Sequence, residues 1–178
     1  RAVFKIARAT PELQVVAVND LLTIDQLIYL IRFDSVYGRY EKEVQGEGDN
    51  LVVEGKGLKA FSEPDPLRLP WRDLAVDIVL ECTGRFTDSQ GMSAHLQAGA
   101  KKVLLSAQGK SEEIPTVVYG VNKAAKSDVL ISCASCTTNC IAPVVEIVGR
   151  RIGVKKVALT TVHAYTASQN IVDGPSRK

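Results

Sequence analysis

The sequence predicts an α/β protein built on a doubly wound, mostly parallel sheet and followed by the start of an α+β domain. Three observations carry that expectation. Residues 14–18 form a continuous β-branched apolar run that ends on Asn19-Asp20, the pattern of a strand buried on both faces of a parallel sheet. From residue 77 to residue 106 a strand, a helix and a second strand follow one another, with turns at Thr83-Gly84-Arg85 and Gly99; such alternation implies right-handed parallel crossovers. Between residues 132 and 140 a cysteine-bearing segment joins an apolar strand to a helix.

Taken in order, residues 1–10 read as the end of a helix with Val3, Phe4 and Ala7 on one face, closed by Thr10-Pro11. A helix, a buried strand and an acidic residue at the strand's carboxyl end make the second half of a dinucleotide-binding βαβ unit, whose carboxylate accepts a ribose hydroxyl. The sheet is therefore expected to be of Rossmann type, with its first strand and glycine-rich turn upstream of Arg1. Residues 24–33 carry Leu27, Ile28, Leu30 and Ile31 at helical spacing, with Thr23 or Asp25 as the cap. Over residues 42–61 short alternating runs separated by Gly46, Gly48, Gly55 and Gly57 predict one or two hairpins. Strands follow at 77–82 and 102–106 around a helix at 88–98, then two more at 117–120 and 129–132, a helix at 137–151 and a strand at 156–163. The expected division is a nucleotide-binding domain over residues 1–135 and the beginning of a catalytic domain over 136–178.

Composition excludes several classes of function. Lys and Arg number 22 against 20 Asp and Glu and are scattered, which leaves a nucleic acid no basic stripe to bind. With 46% hydrophobic and 24% charged residues the chain is neither disordered nor collagen-like. The apolar stretches at 78–80 and 144–148 fall far short of the roughly 20 residues that cross a bilayer, so no membrane partner is expected. Three of the four cysteines share one short segment instead of forming a spread framework, which points to a reducing compartment.

The chemistry is expected at that segment. Cys136 stands where a strand meets a helix N-terminus, and there backbone N–H groups and the helix dipole favour a thiolate. The hydroxyls of Ser135, Thr137 and Thr138 add donors for an oxyanion or a phosphate. His163 closes a predicted strand, at the end where open α/β sheets present catalytic groups, and a thiolate nucleophile needs a basic partner. His95, inside a helix, reads as a structural or surface imidazole. Cys133, Cys136 and Cys140 make a C-x2-C-x3-C array, but the fourth ligand of a metal site would have to be Cys82, inside an apolar strand, so no metal is expected. Cys82 and Cys133 read as plain buried thiols, and Cys140 as either a core residue or a partner for the nucleophile on oxidation.

Two segments, Ala134-Ser135-Cys136-Thr137-Thr138-Asn139-Cys140 and Thr161-Val162-His163-Ala164-Tyr165-Thr166, resemble the active-site signatures of the phosphorylating glyceraldehyde-3-phosphate dehydrogenases. The resemblance continues in colinear order through Val18-Asn19-Asp20-Leu21, Phe33-Asp34-Ser35-Val36-Tyr37-Gly38, Glu81-Cys82-Thr83-Gly84-Arg85-Phe86 and Gly120-Val121-Asn122. It implies Cys136 as nucleophile, His163 as base, and Ser135, Thr137 and Thr166 as the holders of inorganic or substrate phosphate. It further implies NAD as cofactor, lined by Asn19, Asp20, Thr83, Phe86 and Ser106, with Arg1 as the last residue of the glycine-rich turn. The segment Val172-Asp173-Gly174-Pro175 is similar to the NAD-using members. The implied reaction converts glyceraldehyde 3-phosphate and inorganic phosphate to 1,3-bisphosphoglycerate in a cytoplasmic homotetramer, and the isolated chain is expected to lack turnover. The sequence departs from the family pattern at Ala107-Gln108-Gly109, which lacks a proline, and at Pro64-Asp65-Pro66, which lacks a preceding arginine. Three other readings stand beside this one: an aspartate-semialdehyde or erythrose-4-phosphate dehydrogenase, a cysteine metal or redox module, and a cysteine hydrolase.

Overall fold

A computed structural model describes residues 1–166, 169 and 171–173. They fall into two compact units, one of Arg1–Pro64 with the segment from His163 onward, the other of Asp65–Val162.

The first unit opens with α1 (Ala2–Ala9), β1 (Ala17–Asn19) and α2 (Ile24–Arg32). Thr23 caps α2 in a reciprocal box: its hydroxyl accepts from the Gln26 N–H while the Gln26 side chain accepts from the Thr23 N–H, so two orphan donors of the first turn are satisfied at once. The helix stops at Arg32 because Phe33 turns extended into a short hairpin, β2 (Phe33–Asp34) and β3 (Gly38–Arg39). That hairpin is absent from the sequence expectations; the Asp34 carboxylate makes it by accepting the N–H groups of Val36 and Tyr37. Two further hairpins follow as expected, β4 (Val44–Glu47), β5 (Asn50–Val53) and β6 (Lys56–Phe61).

The sheet order is β1-β6-β5-β4, with β1 and β6 parallel and the rest antiparallel. In β5 the period of two sends Leu51 and Val53 into the core, both fully buried, where they pack with Ile31, Val44 and Leu58. Phe4, Val18, Ile24, Leu27 and Ile28 lie against this cluster. On α1 the inward face is Phe4 and Ala7; Val3, expected beside them, is exposed. Residues 15–19 are half-buried, not enclosed on both faces as the apolar run predicted.

The second unit holds a parallel sheet in the order β7-β8-β9, made of Ile78–Glu81, Lys102–Leu105 and Leu130–Ser132. Helix α3 (Ser89–Gln97), capped by Asp88, connects β7 to β8, and α4 (Cys136–Arg151), capped by Ser135, follows β9. At Gly99, φ is +116° and a Cβ would stand 2.6 Å from the Arg72 backbone nitrogen, so only glycine fits this turn.

The α/β class stands, but the described strands form three separate sheets instead of one continuous sheet. Two predicted strands are absent from the described residues. Residues 117–120 make no ladder beyond a single bridge from Thr116 to Ser132, because the Asn122 side chain accepts the Val118 N–H and donates to the Thr116 carbonyl, closing a turn in its place. Residues 156–163 have β-branched character but are exposed and form no strand; a strand requires a neighbour to complete its ladder. Gly174 and Pro175 of the segment similar to NAD-using members lie outside the described residues.

Candidate active site

Three loops leave the carboxyl edge of the β7-β8-β9 sheet side by side: Thr83–Phe86 after β7, Ser106 after β8, and residues 133–135 after β9. This edge is where open parallel sheets bind ligands. Thr83 and Ser106 are exposed on it, and Phe86 is half-buried.

Cys136 is the first residue of α4 and is exposed. The Ser135 hydroxyl caps the helix by accepting the Thr138 N–H at 3.0 Å and exchanges a hydrogen bond with the Thr138 hydroxyl at 2.8 Å. Asn139, one turn into the helix, reaches back with its amide to donate to the carbonyls of Cys133 (2.7 Å) and Ser135 (2.9 Å). Thr137 is half-buried beside them. The chain enters this helix through Ala134, which is buried with φ of +64°. A side chain in the left-handed region costs about 1–2 kcal/mol, and the Ala134 N–H is held there by the Ser132 hydroxyl at 3.2 Å. The tight turn places Cys136 at the first position of α4, where the partial positive charge of the first-turn N–H groups favours an anion.

Cys82 and Cys133 are exposed, not buried as expected, and Cys140 is exposed rather than part of the core. Enclosure of the Cys133 sulfur, with the Cys82 thiol nearby, nonetheless pushes the Cys133 thiol above its ordinary range. It is thereby less nucleophilic at neutral pH than an unperturbed thiol. Among the described residues no three His, Cys, Asp or Glu side chains are placed to hold a metal ion.

Beneath the Thr83 loop lies a buried polar chain. The Trp71 indole donates to Nδ1 of His95 at 3.1 Å, and Nε2 of His95 stands 3.1 Å from Oε2 of Glu81. Oε1 of Glu81 in turn accepts the Thr83 N–H and hydroxyl. Burial works against ionisation of Glu81, but these hydrogen bonds from His95 and Thr83 outweigh it and hold the carboxyl below its usual range. Of the two expected placements of His95, interior and surface, the structure has the interior one, with both ring nitrogens bonded.

In the first unit, Asp20 is exposed at the carboxyl end of β1, its carboxylate accepting the Leu22 N–H. Asn19 turns its amide onto the Glu63 backbone, donating to the carbonyl and accepting the N–H, both at 2.9 Å. Arg1 is committed elsewhere than the end of β1: its guanidinium reaches the carboxylates of Asp34 (3.4 Å) and Asp173 (3.0 Å) and the carbonyls of Leu30 and Phe33. Asp173 also accepts the N–H and hydroxyl of Ser35, and these bonds, with Arg1, lower its carboxyl to about 2. Nδ1 of His163 lies 2.6 Å from the Ala164 carbonyl. A carbonyl only accepts, so the neutral ring carries its proton on Nδ1 and its lone pair on Nε2. Thr166 pairs with Gln169 through its backbone.

The residues overlooked in the sequence are Ser132, Asn139 and Glu81. Two of them carried a signal: Ser132 closes an apolar strand run, and Glu81 shares the inward face of β7 with Val79, so a polar group had to be buried and bonded there.

Family comparison bears on the same segments. Two family models match, "Glyceraldehyde 3-phosphate dehydrogenase, NAD binding domain" over residues 1–89 and "Glyceraldehyde 3-phosphate dehydrogenase, C-terminal domain" over residues 135–178. The chain belongs to the glyceraldehyde-3-phosphate dehydrogenase family. It is 46% identical over 177 residues to the glyceraldehyde-3-phosphate dehydrogenase of Chlamydia pneumoniae, covering 98% of this chain and 52% of that protein. To that of Geobacillus stearothermophilus it is 47% identical over 180 residues, covering 99% of this chain and 53% of the relative. To the cytosolic enzyme of Trypanosoma brucei brucei it is 42% identical over 179 residues, covering 100% of this chain and 54% of the relative. The chain spans about half the length of the curated relatives it matches. Its first half is the family's Rossmann-type domain for NAD. In the first unit Asp20 offers an exposed carboxylate at a strand's carboxyl end, a group that suits a ribose hydroxyl; in the second unit Thr83 and Ser106 stand exposed on the edge of the parallel sheet.

Proposed function

We propose that the protein carrying this chain oxidises and phosphorylates glyceraldehyde 3-phosphate to 1,3-bisphosphoglycerate, with NAD as oxidant and Cys136 as covalent catalyst. One observation carries the reading: in a chain of this family, the thiol of Cys136 is exposed at the first position of a helix capped by Ser135, on the carboxyl edge of a parallel sheet.

Cys136 attacks the aldehyde carbon as a thiolate; the C–S bond forms and the carbonyl oxygen takes up the negative charge. The first-turn N–H groups of α4 stabilise that charge, and the proton that left the Cys136 thiol then makes it a hydroxyl. His163, with its lone pair on Nε2, then removes this proton as the carbon is oxidised to a thioester. NAD, when bound by Asp20, Thr83, Phe86 and Ser106, supplies the two-electron oxidant. Asn19 braces the segment after β6, and Arg1 braces the α2 end against Asp34 and Asp173. Inorganic phosphate attacks the thioester carbon; the C–O bond forms, the C–S bond breaks and the Cys136 thiolate returns. Ser135, Thr137 and Thr166 hold the phosphate groups.

The reading extends to a homotetramer in the cytoplasm. No helix among the described residues is long and apolar enough to cross a membrane, and one relative is named as cytosolic.

The test is Cys136→Ser in the full-length protein, assayed for phosphate-dependent reduction of NAD with glyceraldehyde 3-phosphate. A serine hydroxyl is not ionised at neutral pH, so turnover should vanish. Near-normal turnover would overturn the assignment, and activity without phosphate would point to hydrolysis.

A further inference from the structure

The buried chain Trp71–His95–Glu81 ends at Thr83, one of the residues given to the dinucleotide above, and the inference drawn from it rests on that reading. All three members are nearly enclosed, at 5%, 4% and 3% exposure, whereas Thr83 is exposed. A buried carboxylate is expensive, and apolar residues of similar volume commonly stabilise a core as well or better. A charge kept in such a place calls for a use beyond packing.

The hydrogen atoms of this chain can be assigned one by one. An indole N–H can only donate, so Nδ1 of His95 must carry a lone pair. A doubly protonated ring would set two N–H groups against each other; His95 is therefore neutral with its proton on Nε2, directed at Oε2 of Glu81. An ionised Glu81 only accepts, so the Thr83 hydroxyl must donate its one hydrogen to Oε1. The Thr83 oxygen then accepts the Arg85 N–H at 3.1 Å with one lone pair and keeps a second. The same imidazole meets the Phe86 ring edge-on, with centroids 6.3 Å apart and planes at 87°. Both ends of the Thr83–Phe86 loop thus rest on His95, one through Glu81 and one through the ring.

We propose that Glu81 and His95, with Trp71 behind them, are positioning residues for the dinucleotide. They fix the proton order that turns Thr83 Oγ1 into a hydrogen-bond acceptor, and they hold the loop in place. Thr83 so arranged receives a hydroxyl or amino hydrogen of the dinucleotide and has no hydrogen to give to a phosphate oxygen.

The test uses the full-length protein and two readouts that need no turnover: calorimetric Kd for NAD, and 15N NMR of the His95 ring. In the unmodified protein His95 should show the neutral form with its proton on Nε2. Glu81→Gln offers one oxygen and one NH2 group, which cannot accept from His95 and Thr83 together; NAD binding should weaken about tenfold, the worth of one well-placed hydrogen bond. Trp71→Phe keeps a ring in the core and leaves the Nε2–Glu81 bond intact, so Kd should stay within about twofold while the melting temperature falls. Combining the two changes frees Nδ1 to take the proton. Nε2 can then accept from the NH2 group of the introduced amide, whose oxygen can accept from Thr83, so the double variant should recover most of the lost affinity.

A double variant that binds NAD more weakly than Glu81→Gln alone would show that the chain is only structural and overturn the proposal. A folded Glu81→Gln protein with unchanged Kd would do the same. Should Glu81→Gln not fold, the tautomer decides, and a proton on Nδ1 of His95 in the unmodified protein overturns the proton order. Unmodified protein that binds no NAD, with the tautomer as assigned, would instead overturn the functional reading on which the loop's role depends.

Discussion

Replacing Ser132 by alanine removes one fully buried hydroxyl that serves three backbone groups. It donates to the Ala107 carbonyl at 2.8 Å and accepts from the N–H groups of Gly109 at 3.1 Å and Ala134 at 3.2 Å. A methyl group replaces none of these bonds. The Ala134 bond is buried and the other two are partly buried, so the first orphan costs the full desolvation penalty of about 1–3 kcal/mol. The other two recover water in part and cost about 0.5 kcal/mol each, within the usual net worth of a hydrogen bond. The sum is about 2–4 kcal/mol. The left-handed turn at Ala134, itself worth about 1–2 kcal/mol of strain, also loses the bond that holds it, so the entry to α4 should loosen. Urea unfolding of the full-length Ser132→Ala protein measures the first effect, and the rate of Cys136 alkylation measures the second. A loss under about 0.5 kcal/mol, the range of an ordinary surface change, would refute the claim that this hydroxyl organises the turn before the nucleophile.

Three further expectations concern charge and proton transfer. His163→Asn should lower the rate by about 10² to 10⁴, the contribution of a positioned base, with substrate binding kept; an unchanged rate in single-turnover assays would make His163 structural. Asp20→Gly should narrow the preference for NAD over NADP, since the exposed carboxylate accepts a ribose hydroxyl but repels a 2′-phosphate; equal kcat/KM for both cofactors in the unmodified protein would refute this. Asp173 has a carboxyl lowered from 3.8 to about 2 by Ser35 and Arg1. Its contribution to stability is therefore complete above pH 4 and lost as the pH falls towards 2. Acid titration of Asp173→Asn against the unmodified protein should show curves that differ at neutral pH and converge below pH 2; a constant gap would refute the linkage.

Much of this was legible in the sequence because its causes are local. Thr23 or Asp25 before an apolar helical run announces the start of α2, the structure choosing Thr23, and the glycines between short alternating runs announce the hairpins of β4, β5 and β6. A cysteine at a strand-to-helix junction announces a thiol at a helix N-terminus, whereas the role of Ser135 as the cap came from the structure. None of these depends on a distant residue. What only the tertiary structure decided depends on partners far along the chain. The apolar run at 156–163 has strand-forming residues yet no strand, since a ladder needs a second strand and none is paired with it among the described residues. The run at β1 has one partner, β6, more than forty residues later by its register of Ala17 with Lys59. His95 takes its tautomer from Trp71, 24 residues earlier, and directs its proton at Glu81, 14 residues earlier. Arg1 meets Asp173 across 172 residues. Propensity and capping act within a turn or two of helix, whereas a buried hydrogen bond is chosen by whichever donor and acceptor the packed elements bring within about 3 Å.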